Sequence, residues 1–486
     1  MRPPALSLSY LPTWAKFNDI EFKDVSVEKN KEYGGYGITS TSKIPHSVLN
    51  QEGNLTVLNV PKDLILCAET IAEHAKVDRH FAQILEAVGG NSLRGDVMLF
   101  LLMQVTRASS DANTKISVSG PWTEYVKMLP EYISLPTAWH DDQIALLNGT
   151  SLEKAVAAKV AALIREFETL RENTTEIPWC HNAWWDKEHL EFKDWILIDS
   201  WYRSRSLELP LSGEAMVPFL DMANHSANAN SHYQQGSDDE VLLQVKPGHL
   251  IEKGEELTID YGSTKSAAEM LFSYGFIDEL SSVHSLVLHI SPSSDDPLGK
   301  AKAKIFGKPP TLHISATDGS LELTCPFIHL MCVNEDDGLD FKVLLETDGT
   351  FGQMRAFWKS TDITDSISSF KDIVAADPLA DVFLLRGKVL LRYIVDEQLE
   401  RLSESEHMAN ELDPNQESLS VGDKGIPKAA SKLRVIEAEL LSKALELLEA
   451  EINTLSSSPI VREYLGNTEA QDTPGAGEDD ESEDFS

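Results

Sequence analysis

The chain has 486 residues, 42% of them apolar, and a formal net charge of -36. That length exceeds what one hydrophobic core serves, so two or three domains are expected, and the acidity argues against nucleic acid as a direct partner, because phosphate binding needs Lys and Arg to displace counterions. A basic, lysine-bearing polypeptide is the natural partner, drawn in over roughly a Debye length. Cys67, Cys180, Cys325 and Cys332 form no Cys-x-x-Cys pair, so neither a disulfide framework nor a zinc site is indicated and no metal is expected. The longest apolar run, Val97 to Met103, is far shorter than the roughly 20 residues that span a bilayer, and Arg2 is followed by no apolar signal core. The expectation is a monomer of the cytoplasm or nucleus, with no membrane contact.

In chain order, residues 20 to about 68 read as short strands broken by glycine and proline. From about 69 the pattern turns helical: Arg79 to Val88 and Asp96 to Thr106 carry an apolar face, and Ser151 is a suitable N-cap for a helix reaching about Leu170. A tryptophan-rich segment, Trp179 to Trp201, leads back to the strand-like Leu242 to Val245 and Leu257 to Ile259. After a strand candidate at Val283 to Ile290, residues 291 to 297 read as a Ser/Pro/Asp linker. Beyond it Phe327 to Val333, Asp381 to Glu400 and Pro427 to Leu455 read as helices, with Leu433, Ile436, Leu440, Ala444 and Leu447 forming one apolar stripe. Residues 402 to 426 read as a polar loop, and the acidic tail at 467–486 reads as disordered.

Three motifs stand out. Tyr33-Gly34-Gly35-Tyr36-Gly37-Ile38 lies upstream, followed by Ile44-Pro45 and Leu64-Ile65-Leu66; Asp221-Met222-Ala223-Asn224-His225-Ser226 and Glu256-Leu257-Thr258-Ile259-Asp260-Tyr261-Gly262 lie downstream. Taken singly each is weak, since glycines serve turns and Asp-Tyr-Gly can end a strand. Their order and spacing are the signal, and together they resemble the motifs of a SET-domain methyltransferase.

The likeness narrows to the subgroup of the plant Rubisco large-subunit lysine methyltransferase, the actin-histidine methyltransferase and the fungal ribosomal-protein lysine methyltransferases. It is carried by Pro121-Trp122 to Leu129-Pro130, Leu146 to Thr150, Ser204-Arg205, Val217 to Asp221 and Phe272 to Phe276. It covers roughly residues 20 to 280. The fold it implies is α+β: a mainly β, knotted SET domain over 20–278, split by a helical insert at about 69–195, then an all-α substrate-binding domain over 298–466. Histone-type SET enzymes often carry Cys-rich zinc flanks, which this chain lacks.

The resemblance also implies roles. Tyr261 is the catalytic tyrosine, and Tyr274, thirteen residues on, lines the lysine channel. S-adenosylmethionine is the cofactor, met by Gly35, Tyr36 and Gly37 through the backbone, by Arg205, by Asn224 and His225, and by Tyr261. Substrate contacts fall to Arg205, Asp221, Tyr233 and Tyr274. His225 is expected to act as scaffold, and Asn230 sits where other SET domains have an asparagine, although Cys and Pro are missing from the intervening segment. The activity implied is lysine N-methylation of a non-histone protein, a ribosomal protein being one candidate. Two alternatives stand: a protein-histidine methyltransferase, disfavoured because Leu207 replaces the asparagine that follows the matched arginine in the actin-histidine enzyme, and a non-catalytic SET-derived binding module.

Overall fold

Burial builds the first sheets: along β9 (Val241–Val245) Val241, Leu243 and Val245 alternate into the core, and along β4 (Leu55–Val60) Leu58 and Val60 do, with Val57 also buried at the register shift between Thr56 and Leu58. In this computed structural model the described residues are 3–29, 35–44, 55–109, 116–281, 283–291, 295–317, 320–345, 351–411 and 425–471. They divide into two units, the first being 1–148, 152–283 and 411–433, and the second 149–151, 284–410 and 434–486.

Unit one holds two four-stranded sheets. One has the order β1 (Glu21–Phe22), β4, β9, β8 (Ser231–Gln235). The other runs β2 (Val25–Lys29), β3 (Tyr36–Ser40), β10 (Glu256–Ile259), β7 (Asn224–His225). β5 (Ser206–Leu209) and β6 (Gly213–Met216) form a hairpin. β7 lies parallel to β10, with Asn224 opposite Thr258 and His225 opposite Ile259. That pairing sets the two downstream motifs side by side.

Between Ala68 and Arg205 the described residues form helices and no strand. Helix Arg79–Val88 starts where Asp78 accepts the amides of His80 and Phe81. Helix Leu93–Ser109 buries Val97 through Thr106 on all sides, which explains why no polar face is legible there. Helix Leu152–Thr174 and helix Phe192–Arg205 follow. The last of these delivers Arg203 and Arg205 to the start of β5.

Unit two is α+β rather than all-helical, a correction to the expected all-α domain. β11 (His284–His289), β12 (Thr311–Thr317) and β13 (Ser320–Thr324) form one three-stranded antiparallel sheet. β14 (Leu339–Leu345), β15 (Phe351–Trp358) and β16 (Thr361–Asp362) form another. Only a few residues per strand point inward, such as Leu312 and Ile314 of β12, so the alternation is too brief to register between charged neighbours. The expected loop at 402–426 is also partly helix, because helix Ala380–Glu411 continues past Glu400. Helix Ile426–Ser456 buries Leu433, Leu440, Leu441, Ala444 and Leu448. Of the tail expected to be disordered at 467–486, residues 467–471 instead continue helix Pro459–Gln471 and those from 472 lie outside the described residues, as do Tyr33, Gly34 and Pro45.

Within unit two, Glu437 is 2% exposed and accepts both the amide (3.0 Å) and the hydroxyl of Ser151. Burial pushes its carboxyl up to about 7, against the Ser151 hydrogen bonds that favour the anion. An acid whose pKa is raised by folding loses stability as pH climbs from the unfolded value toward the folded one. Thermal unfolding should therefore show unit two becoming less stable between about pH 4.5 and 7, and Glu437→Gln should flatten that dependence; an unchanged slope would contradict the assignment.

Candidate active site

The chain turns sharply before the first downstream motif. Phe219 adopts φ +73°, a conformation that costs a bulky residue about 1–3 kcal/mol, and its N–H donates to the Tyr125 hydroxyl at 2.9 Å. The Tyr125 hydroxyl in turn donates to Asp221 Oδ1. Asp221 is buried in the short helical turn Leu220–Met222, and Arg205 Nη1 donates to its carbonyl at 2.9 Å and to Oδ2 at 3.2 Å. Burial raises the Asp221 carboxyl above its ordinary value despite Arg205 and Tyr125. With both carboxylate oxygens engaged, Asp221 holds the arginine in place.

Asn224 donates from Nδ2 to the Tyr36 carbonyl (3.0 Å) and to Glu256 Oε1 (2.6 Å), tying β7 to β3 and β10. Gly37 lies in the same tie. A Cβ on it would stand 2.9 Å from Asn224 Nδ2 and press into the Glu256 carboxylate, whereas a Cβ on Gly35 meets open space. Gly37→Ala is therefore expected to destabilise by about 1–3 kcal/mol, with Gly35→Ala close to neutral in the same thermal-unfolding assay. Equal effects would remove the close approach as the reason for Gly37.

His225 accepts the Tyr261 N–H on Nδ1 at 3.1 Å, so its own proton sits on Nε2 and donates to Asp278 Oδ2 at 3.0 Å. Held at both nitrogens, His225 positions the Tyr261 backbone and has no free site for proton transfer. Asn230 makes a similar clamp: Nδ2 donates to Glu256 O at 2.9 Å and Oδ1 accepts Thr258 N–H at 3.0 Å.

The tyrosines then converge. The Tyr261 hydroxyl donates to Ala223 O at 2.7 Å, and the Tyr261 and Tyr274 rings stand 4.6 Å apart at 39°. Tyr233 donates to Glu208 O at 3.3 Å. Burial pushes the Tyr274 phenol up to about 12 and the Tyr261 phenol higher still, so both stay protonated at neutral pH. Tyr233, Tyr261 and Tyr274 share a cleft of about 550 Å³ with Arg205, Asp221, Leu207, Asp260 and Lys265. Gly35, Tyr36, Gly37, Asn224 and His225 are not in its lining; they are linked to it through β10 and the Tyr261 backbone.

A carboxylate-bearing cofactor fits one feature directly. Arg205 Nε is buried with no hydrogen-bond partner, leaving the planar guanidinium a donor to offer at the cleft wall. Sequence reasoning missed Tyr125, Glu256 and Asp278, which hold Asp221, Asn224 and His225. Glu256 opens the last motif and Tyr125 lies within Pro121 to Pro130, but their roles, like that of Asp278, appear only where each meets its partner across the fold.

These parts in this order resemble those of a SET domain. No family model matches the sequence. The chain is similar to SET domain-containing protein 8 of Schizosaccharomyces pombe, 27% identical over 451 residues, covering 91% of this chain and 95% of that one. It is also similar to the chloroplastic ribulose-1,5 bisphosphate carboxylase/oxygenase large subunit N-methyltransferase of Nicotiana tabacum, 24% identical over 296 residues, 58% of this chain and 56% of the relative. A solved structure of Rubisco LSMT bound to AdoMet superposes with a TM-score of 0.64 at 18% identity, covering 98% of each chain. The chain is thus similar, in sequence and in fold, to SET-domain proteins of the subgroup that contains the Rubisco large-subunit methyltransferases.

Proposed function

We propose that this chain is an S-adenosylmethionine-dependent protein-lysine N-methyltransferase acting on a non-histone protein. The observation that carries the proposal is the walling of one cleft by Tyr233, Tyr261 and Tyr274 beside the unpartnered Nε of Arg205. When bound, S-adenosylmethionine supplies an electrophilic methyl group for in-line displacement. The residues of the chain orient the acceptor. A lysine with pKa near 10.4 costs roughly 4–5 kcal/mol to deprotonate at pH 7, and a partly desolvated tyrosine channel lowers that cost. Because the Tyr261 hydroxyl commits its proton to Ala223, its oxygen is left to accept from the amine N–H and aim the lone pair. Arg205, Asn224, His225 and the backbone at Gly35, Tyr36 and Gly37 are assigned to the cofactor, with Tyr261 between the two sites. The partner proposed is a basic or lysine-bearing protein met by a monomer, and the net charge of -36 makes nucleic acid an unsuitable ligand.

The test is to incubate the protein with radiolabelled cofactor and cell lysate, hydrolyse the labelled proteins and identify the methylated amino acid. Methyl-lysine supports the proposal. Methylhistidine would replace it with the histidine activity, which Leu207 in the cleft lining argues against, and absence of cofactor binding in calorimetry would leave a binding module. Since the displacement itself needs no metal, activity should survive an excess of chelator; loss that zinc restores would overturn the site assignment.

A further inference from the structure

The same cleft carries a second charged constellation that neither the tyrosines nor Arg205 use. Asp199, on helix Phe192–Arg205, is fully buried, and three cations converge on its carboxylate: Arg94 at 2.7 Å, Lys159 at 3.0 Å and Arg203 at 3.0 Å. Arg94 also donates to Glu166 at 2.8 and 3.1 Å. Three cations thus meet two carboxylates, leaving one positive charge over in a chain whose net charge is strongly negative. Glu208 and Glu214 also line the cleft but form no ion pair with these three.

The surplus is held against its own preference. Burial, with Arg94 and Arg203 adding to it, pushes the Lys159 ammonium below its ordinary value even with Asp199 alongside. Lys159 spends a single contact on Asp199, and Arg203 Nε is buried without a hydrogen-bond partner. A network serving packing alone would close its charge, because an uncompensated buried ion is costly. Here Arg94, Lys159 and Arg203 all line the cleft that holds Tyr233, Tyr261 and Tyr274.

We propose that Lys159, with Arg94 and Arg203, forms an anion subsite in the substrate cleft that binds an acidic side chain of the target protein near the residue to be methylated. The assignment rests on the methyltransferase proposal above. It makes the cleft selective for an acceptor with a carboxylate in its flanking sequence, whatever the overall charge of the target.

The probe is a set of lysine-centred peptides in which Glu or Gln is scanned through the flanking positions. Binding is read by fluorescence anisotropy with S-adenosylhomocysteine present, so that no turnover is needed. Wild-type protein should bind at least one Glu peptide about tenfold tighter than its Gln counterpart, the scale of a charge-assisted hydrogen bond. Lys159→Met should lose that preference and Lys159→Arg keep it, with S-adenosylmethionine affinity equal in all three. Thermal unfolding of Lys159→Met should be no lower than wild type, since Asp199 retains Arg94 and Arg203. The proposal is overturned if wild type shows no Glu preference, or if Lys159→Met retains it. It is equally overturned if Lys159→Met weakens S-adenosylmethionine, which would give the cations to the cofactor carboxylate, or lowers the unfolding temperature, which would make Lys159 structural. A Glu preference in a protein that methylates none of the peptides or lysate proteins would sink the methyltransferase proposal and leave the subsite standing.

Discussion

Tyr261→Phe is expected to lower turnover by about 10²-fold or more while leaving the S-adenosylmethionine dissociation constant nearly unchanged, the pattern of a group that acts on the transition state. The ring should stay seated against Tyr274 and His225, and the backbone contact to His225 does not involve the hydroxyl. What disappears is the oxygen anchored on Ala223. The pH profile adds an independent readout. Burial raises the Tyr261 phenol above its usual 10.0, so it remains neutral throughout the range in which the acceptor amine loses its proton. Wild-type activity should therefore climb toward alkaline pH with no falling limb from Tyr261 below about pH 10. A parallel loss of cofactor affinity and turnover in the variant would reduce Tyr261 to a packing role.

Asp221→Ala is expected to destabilise unit one strongly. It strips the carboxylate that receives Tyr125 and Arg205 and leaves a largely buried guanidinium with its ion pair broken. Breaking a buried pair from one side costs about 3–5 kcal/mol, which for a unit of this size lowers the unfolding temperature by on the order of 10 °C. Cofactor affinity should fall with it, because Arg205 loses the contacts that aim it. Asp221→Asn keeps an acceptor for Tyr125 but not the charge, so it should fall between. An Asp221→Ala protein that melts within about 2 °C of wild type and binds cofactor normally would show that Arg205 is held by something else.

The candidate site was legible in the sequence where side chains sit on a motif, and hidden where they meet across the fold. Tyr261, Tyr274 and Arg205 could be picked out because they stand in segments that resemble the motifs of SET-domain methyltransferases, and they line one cleft. Their partners could not. Tyr125 lies 96 positions from Asp221, and Asp278 lies 53 positions from His225; a tyrosine or aspartate at such separation has no pattern to mark it. Lys159, Arg94 and Arg203 were hidden for another reason, since a charge on a helix is usually a solvated face. The helical insert was readable from its composition, and of the strands of unit two β11 was read at Val283 to Ile290, while the others were not, because few residues of each point inward.

Tyr125 carries one more implication, for the order in which this chain can assemble. It belongs to the inserted helical region, yet its hydroxyl receives the Phe219 amide and bolts the bend that presents Asp221. The strands on either side of the insert can pair only after a long excursion of chain has been closed, and closing such a loop is slow compared with local helix formation. An intermediate with its helices formed but Tyr125 undocked would leave the Phe219 bend without its clamp. Amide exchange at Phe219 during refolding would then report when the insert locks, and cofactor binding should appear in step with that protection and not with the earlier gain of helix.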